Sequence, residues 1–136
     1  KTTTGAVQQE IANKSYSSAS AYNIQLDITA APRVRIRNSV TNLDYGATSA
    51  IALNTWAYVG FTLQDNGTDT TIRLFINGAL NQTYNNAIRI GDNGGQFLIG
   101  AHQDGVRYFN GLIDDVRIYN RALNADEIRR LYNLGR

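Results

Sequence analysis

The sequence predicts an all-β domain of sandwich or barrel type, closed by one short C-terminal helix. Three observations predict it: short runs in which apolar and polar residues alternate, turn-forming pairs every dozen or so residues between them, and a switch to three- and four-residue spacing only near the C-terminus. A chain of 136 residues fits one domain, here 1–136, and can bury about two-thirds of its surface.

Residues 1–20 are polar and rich in Thr and Ser, and read as a flexible lead-in. Tyr22, Ile24, Leu26 and Ile28 then alternate with Asn23, Gln25 and Asp27, which predicts a strand with one buried and one solvated face. After the break at Ala30, Ala31 and Pro32, Val34 and Ile36 alternate with Arg33, Arg35 and Arg37, giving a second strand whose arginines face outward. Residues 56–63 are apolar on both phases, with Trp56 and Tyr58 on one and Ala57, Val59, Phe61 and Leu63 on the other; such a strand belongs centrally between two layers.

Asn66-Gly67 and Asn77-Gly78 tolerate positive φ and bracket a strand at 70–76, with its hairpin partner at 79–84. Asp92, Asn93, Gly94 and Gly95 supply another turn before Phe97, Leu98 and Ile99. Residues 112–119 read as the last strand. Beyond it, Leu123, Asn124 and Glu127 precede an apolar set at Ile128, Leu131 and Tyr132, the pattern of a capping box with a hydrophobic staple, and the helix stops near Gly135.

Composition removes whole classes of function. The formal charge of +2, from 13 basic and 11 acidic residues, is too even for a protein organised around phosphate, so nucleic acid is not an expected partner. No apolar run is long enough to insert in a membrane. Zero cysteines exclude disulfides and thiolate chemistry, and one histidine excludes a zinc site that needs two imidazoles. A chain that starts at Lys1 without Met reads as a processed product or a fragment. Two lysines against 11 arginines, with frequent Asn, Thr and Tyr, suit a secreted polar surface, and the lack of cysteine favours a bacterial one.

Few residues carry chemistry. Glycoside hydrolysis commonly needs two facing carboxylates, but Glu127 is explained as a cap, Glu10 lies in the polar lead-in, and Asp114 and Asp115 are neighbours that point apart on a strand. His102, alone on a loop and without a serine elbow elsewhere, reads as structural. Strand parity places Asp114 inward with Leu112, Val116 and Ile118, where its carboxylate needs a donor, an arginine or a metal; a tie to a loop, or a bulge that turns it outward, is the favoured reading, and a metal the alternative. Arg35, in its stripe with Arg33 and Arg37, can engage an acidic ligand or lie on a solvated face. Tyr45, Tyr84 and Tyr108, each near a turn, are candidate platforms for sugar rings, whereas Trp56 reads as core. Asn13, Asn66 and Asn81 begin glycosylation sequons.

Three segments carry a resemblance: the run Asn54, Thr55, Trp56, Ala57, Tyr58, Val59; the run Ile72, Arg73, Leu74, Phe75, Ile76, Asn77, Gly78; and the closing stretch from Phe109 and Asn110 through Leu123 to Asp126, Glu127 and Ile128. Together they resemble the laminin-G-like and pentraxin-like branch of the concanavalin A-like lectin/glucanase superfamily, over residues 54–133. The resemblance implies a two-sheet antiparallel jelly-roll sandwich, commonly secreted, commonly binding carbohydrate or protein, and often stabilised by calcium. It also implies that Gln103 and Asp104, after Ile99 and Gly100, take a calcium-binding place. The first strands usual in the family have no counterpart here, and the family's catalytic glutamate pattern is absent.

The reading that follows is a secreted, non-catalytic recognition or adhesion module on a bacterial cell surface, with a glycan or extracellular protein as partner. Its ligand candidates are Tyr45, Tyr84, Tyr108 and Arg35, and its calcium candidates Gln103, Asp104 and Asp114. The alternatives are a self-assembling subunit whose sheet is completed by strands from a neighbouring or parent chain, and an accessory domain of a polysaccharide-degrading enzyme.

Overall fold

The computed structural model describes residues 8–14, 20–27, 29–38, 42–86 and 95–135. Among these residues eight strands, β1 (Gln9–Lys14), β2 (Ser20–Leu26), β3 (Pro32–Asn38), β4 (Asn42–Gly46), β5 (Val59–Asp65), β6 (Thr70–Ile76), β7 (Ala79–Asn86) and β8 (Phe97–Ile99), precede one helix, α1 (Ala125–Leu134). They form two antiparallel sheets, ordered β4-β3-β2-β1-β8 and β5-β6-β7. This is the two-sheet sandwich with a C-terminal helix that the sequence predicts.

Alternation places the core between the sheets. Val34, Ile36 and Tyr45 from the larger sheet meet Ile72 and Leu74 from the smaller, with Phe61, Leu63 and Tyr84 against them. Each fully buried side chain of this size contributes about 1.5–3 kcal/mol. Strand β6 is buried on both faces, because Phe75 points away from the core onto Leu123 and Ile128 of the α1 region. Helix α1 thereby covers the outer face of the smaller sheet.

Its start is fixed as the sequence indicates: Asn124 Oδ1 accepts from Glu127 N at 2.9 Å, and Glu127 Oε2 accepts from Asn124 N at 2.9 Å. Its docking depends on Gly78, whose φ is +76° and where a Cβ would lie 2.8 Å from the Tyr132 side chain.

Four expectations need correction. Residues 56–63 do not form the central strand: the ladder starts at Val59, β5 is an edge, Trp56 is 59% exposed, and β6 takes the central place. Residues 112–119 form no strand. Asp115 adopts φ +52°, which breaks the alternation, and Asp114 is exposed rather than inward. Within residues 1–20, Gln9–Lys14 forms β1, the strand between β2 and β8, instead of a flexible lead-in. Finally, Asn23 and Gln25, expected to be solvated, are 3% and 0% exposed. The turn expected at Asp92, Asn93 and Gly94 lies outside the described residues.

Candidate functional site

A tight hairpin loop follows β8. Ala101 bridges Tyr108, Phe109 N donates to Gly100 O at 2.9 Å, and His102 N donates to Arg107 O at 2.9 Å. Gly100 and Gly105, at φ +72° and +70°, supply the left-handed positions the reversal needs. Asp104 fills the turn from inside: its Oδ1 accepts from Val106 N at 3.1 Å, and its Oδ2 from Arg107 Nε at 2.7 Å. His102, 2% exposed, places Nδ1 3.0 Å from Asp104 Oδ2. Arg107 Nη2 lies 3.0 Å from both ring nitrogens, which sets the guanidinium over the imidazole face.

The charges follow from these contacts. Desolvation pushes the Asp104 carboxyl upward but is outweighed by the hydrogen bonds from Val106, Arg107 and His102, which hold it well below the usual carboxylate range. Burial, reinforced by the Arg107 charge, lowers His102 and keeps it neutral near pH 7.

Beneath the loop lies the outward face of the larger sheet. Register pairs Asn13 with Asn23 and Asn23 with Arg35 in one row, and Glu10 with Gln25 and Gln25 with Arg33 in the next. A register shift between Glu10 and Ala12 brings Glu10 and Asn13 to the same face. Asn13 and Asn23 both donate to Glu10 Oε1. Glu10 Oε2, Asn13 Oδ1, Asn23 Oδ1 and both amide atoms of Gln25 are buried and have no hydrogen-bond partner among the described residues. Burial raises the Glu10 carboxyl above its ordinary value, partly opposed by Asn23, Asn13 and the more distant charges of Arg107 and Arg35. Asn110 N donates to Gln9 Oε1 at 3.0 Å and ties the chain that follows the hairpin to the start of β1.

The candidate residues are dispersed. Tyr108, 58% exposed with its hydroxyl donating to Gly105 O at 2.7 Å, stands at the hairpin surface beside Gln103 and Asp104. Arg35 is on the outward face as expected, but its Nε donates to Asp44 Oδ1 at 2.6 Å. Tyr45 is not a surface platform: it is 8% exposed in the core and packs on Tyr84 with ring centroids 5.0 Å apart, while Tyr84 hydroxyl donates to Gly46 O. Sequence reasoning read Asn23 and Gln25 as a solvated face and Asn13 only as a sequon, and left Glu10 in the lead-in.

The calcium candidates do not make a site that fits that ion. Asp104 is already held by a guanidinium and two backbone amides, and Asp114 Oδ1 accepts from Asp115 N at 2.7 Å on the rim of a different region. Calcium takes six to eight oxygens, and among the described residues no three acidic or histidine side chains gather.

That different region is a cleft of about 1000 Å³ between the sheets, lined by Ile11, Tyr22, Leu26, Phe61, Leu112 and Ile118 among others. Leu112, Val116 and Ile118 along it are 61%, 45% and 66% exposed.

Two stacked antiparallel sheets with a helix on the smaller define a lectin-like β-sandwich. The chain belongs to the concanavalin A-like lectin/glucanase superfamily, whose laminin-G-type family model matches residues 1–129. A crystal structure of an S-layer domain-containing protein (residues 221–444) from Clostridium thermocellum is similar at 23% identity and a TM-score of 0.45, over 93% of this chain and 64% of that one. No curated protein matches. Among the described residues, no helix is long and apolar enough to cross a membrane.

Proposed function

We propose that this domain is a secreted, non-catalytic recognition module that binds carbohydrate at the hairpin of residues 100–108. The observation that carries the reading is Tyr108, a ring 58% exposed and anchored through its own hydroxyl to Gly105 O. A fixed aromatic face stacks on the apolar face of a sugar ring at low entropic cost. Exposed Gln103 on the same loop supplies a polar group for hydroxyls. The network of His102, Asp104 and Arg107 sets the loop in advance, so little is lost on ordering it.

The non-catalytic part rests on the carboxylates. Asp114 and Asp115 are engaged by Asp115 N and by Arg117 Nε at 2.9 Å, while Glu10 is buried on the opposite side of the larger sheet. Secretion is supported by the cysteine-free, arginine-rich composition.

A glycan array followed by titration of the best ligand tests this. Wild type binds at least one glycan class, Tyr108→Ala weakens it about tenfold or more, corresponding to about 1.4 kcal/mol, and a chelator leaves it unchanged. A silent array, or a Tyr108→Ala titration superimposable on wild type, would sink the proposal. Release of reducing ends from a polysaccharide panel, lost in Asp114→Asn, would overturn the non-catalytic part.

A further inference from the structure

We propose that the outward face of the larger sheet binds one monovalent alkali cation, held between β1 and β2 by Glu10, Asn13, Asn23 and Gln25. The four side chains form one block. Register sets Asn13 opposite Asn23 and Glu10 opposite Gln25 in adjacent rows, so its corners lie about 5 Å apart across the strands and about 7 Å along them. Glu10 leans from its own row to the other, where Asn13 Nδ2 and Asn23 Nδ2 both donate to its Oε1. All four residues are buried, at 0% to 3% exposure.

The block is short of positive partners. Glu10 Oε2, Asn13 Oδ1, Asn23 Oδ1 and Gln25 Oε1 accept from no donor among the described residues, and Gln25 Nε2 is the one unpartnered donor group beside them. Turning the asparagine amides does not correct this, because a carboxylate oxygen only accepts and each Nδ2 is committed to Oε1. Buried oxygens in this state cost free energy. A water gives hydrogens to two of them but needs donors for its own oxygen, which the block hardly supplies. A cation satisfies several oxygens at once and asks for no donor in return.

The donor set decides the class of ion. Three amide carbonyls and one carboxylate are hard oxygen ligands, with no imidazole or thiolate among them, which excludes the softer transition metals. Carbonyl oxygens replace the hydration shell of alkali cations well. The single carboxylate matches a single positive charge, so a monovalent ion leaves the buried block neutral. A divalent ion leaves a net positive charge there, with the Arg35 and Arg107 charges already bearing on Glu10 from further off. The cation ties β1 to β2 and stands apart from Tyr108 at the hairpin surface, so it supports the fold and leaves glycan binding alone.

Side-chain amide resonances followed by NMR test this, as sodium chloride replaces choline chloride at constant ionic strength. The amide signals of Asn13, Asn23 and Gln25 are expected to shift saturably, and the melting temperature to rise with sodium. In choline chloride, without the alkali cation, Glu10→Gln melts at or above wild type; sodium then raises wild type alone. Gln25→Leu, which fills the same buried volume with an apolar side chain, also loses the sodium response, whereas Asp114→Asn, at an exposed carboxylate, keeps it. An absent or non-saturating shift, a shift that persists in Glu10→Gln and Gln25→Leu, a shift confined to residues 100–108, or tighter binding of calcium than of sodium overturns the proposal.

Discussion

Glu10 is a fully buried carboxyl, with two amides donating to Oε1 and, among the described residues, no donor to Oε2. Its folded-state pKa lies above its ordinary 4.5, chiefly through desolvation. A carboxyl raised in this way binds its proton more tightly when folded. Its contribution to stability is therefore complete below about 4.5 and is lost as pH rises through the folded value. Glu10→Gln keeps an acceptor at the Oε1 position and turns an amide donor toward the oxygens of Asn13, Asn23 and Gln25 that lack one. The variant is expected to be more stable than wild type by about 1 kcal/mol at pH 7, with the gap closing near pH 4, as read by urea unfolding at both pH values. A loss at pH 7 that shrinks near pH 4 would show that the carboxylate is satisfied as an anion. At this scale the turn signals in the sequence put Tyr108 at the surface, where it is exposed, whereas Asp104 is singled out only through the family resemblance. The sequence hides Asn23 and Gln25, because a polar face under a loop has the same alternation as a polar face in water.

Elements differ in how openly they are written. Strands β2 and β3 are legible from simple alternation, and α1 from Asn124 and Glu127 three residues apart. Strand β1 is not, because Gln9, Glu10 and Asn13 are all buried polar residues and a bulge falls in mid-strand, so neither phase looks apolar. The region 112–119 misleads in the opposite sense: it has the composition of a strand, but Asp115 at φ +52° interrupts it. The helix cap also makes a pH prediction. The Arg121 guanidinium, then the Asn124 amide, draw Glu127 down to about 2. A depressed carboxyl supports the fold above its unfolded value and loses that support as pH falls toward 2. Asn124→Ala is expected to cost about 1 kcal/mol at neutral pH by removing the reciprocal cap, measured by thermal unfolding, whereas an unchanged melting temperature would mean that packing of Ile128 alone fixes the helix.

For the whole molecule, the accessible surface of 7540 Å² exceeds the roughly 7,000 Å² usual for 15 kDa by only a few hundred. Along the cleft Leu112, Val116 and Ile118 are exposed. Strand β6 links both cores, since Ile72 and Leu74 face one and Phe75 the other. Local opening is easiest where backbone hydrogen bonds are few and apolar contacts sparse, and hardest where both are dense. Hydrogen exchange read by mass spectrometry should thus divide the chain sharply. Amides of β2, β3 and β6 exchange only with global unfolding, while those of 112–119 exchange orders of magnitude faster despite a strand-like composition. Protection of 112–119 equal to that of β6 would mean that this segment has a ladder partner in solution and that the cleft is filled.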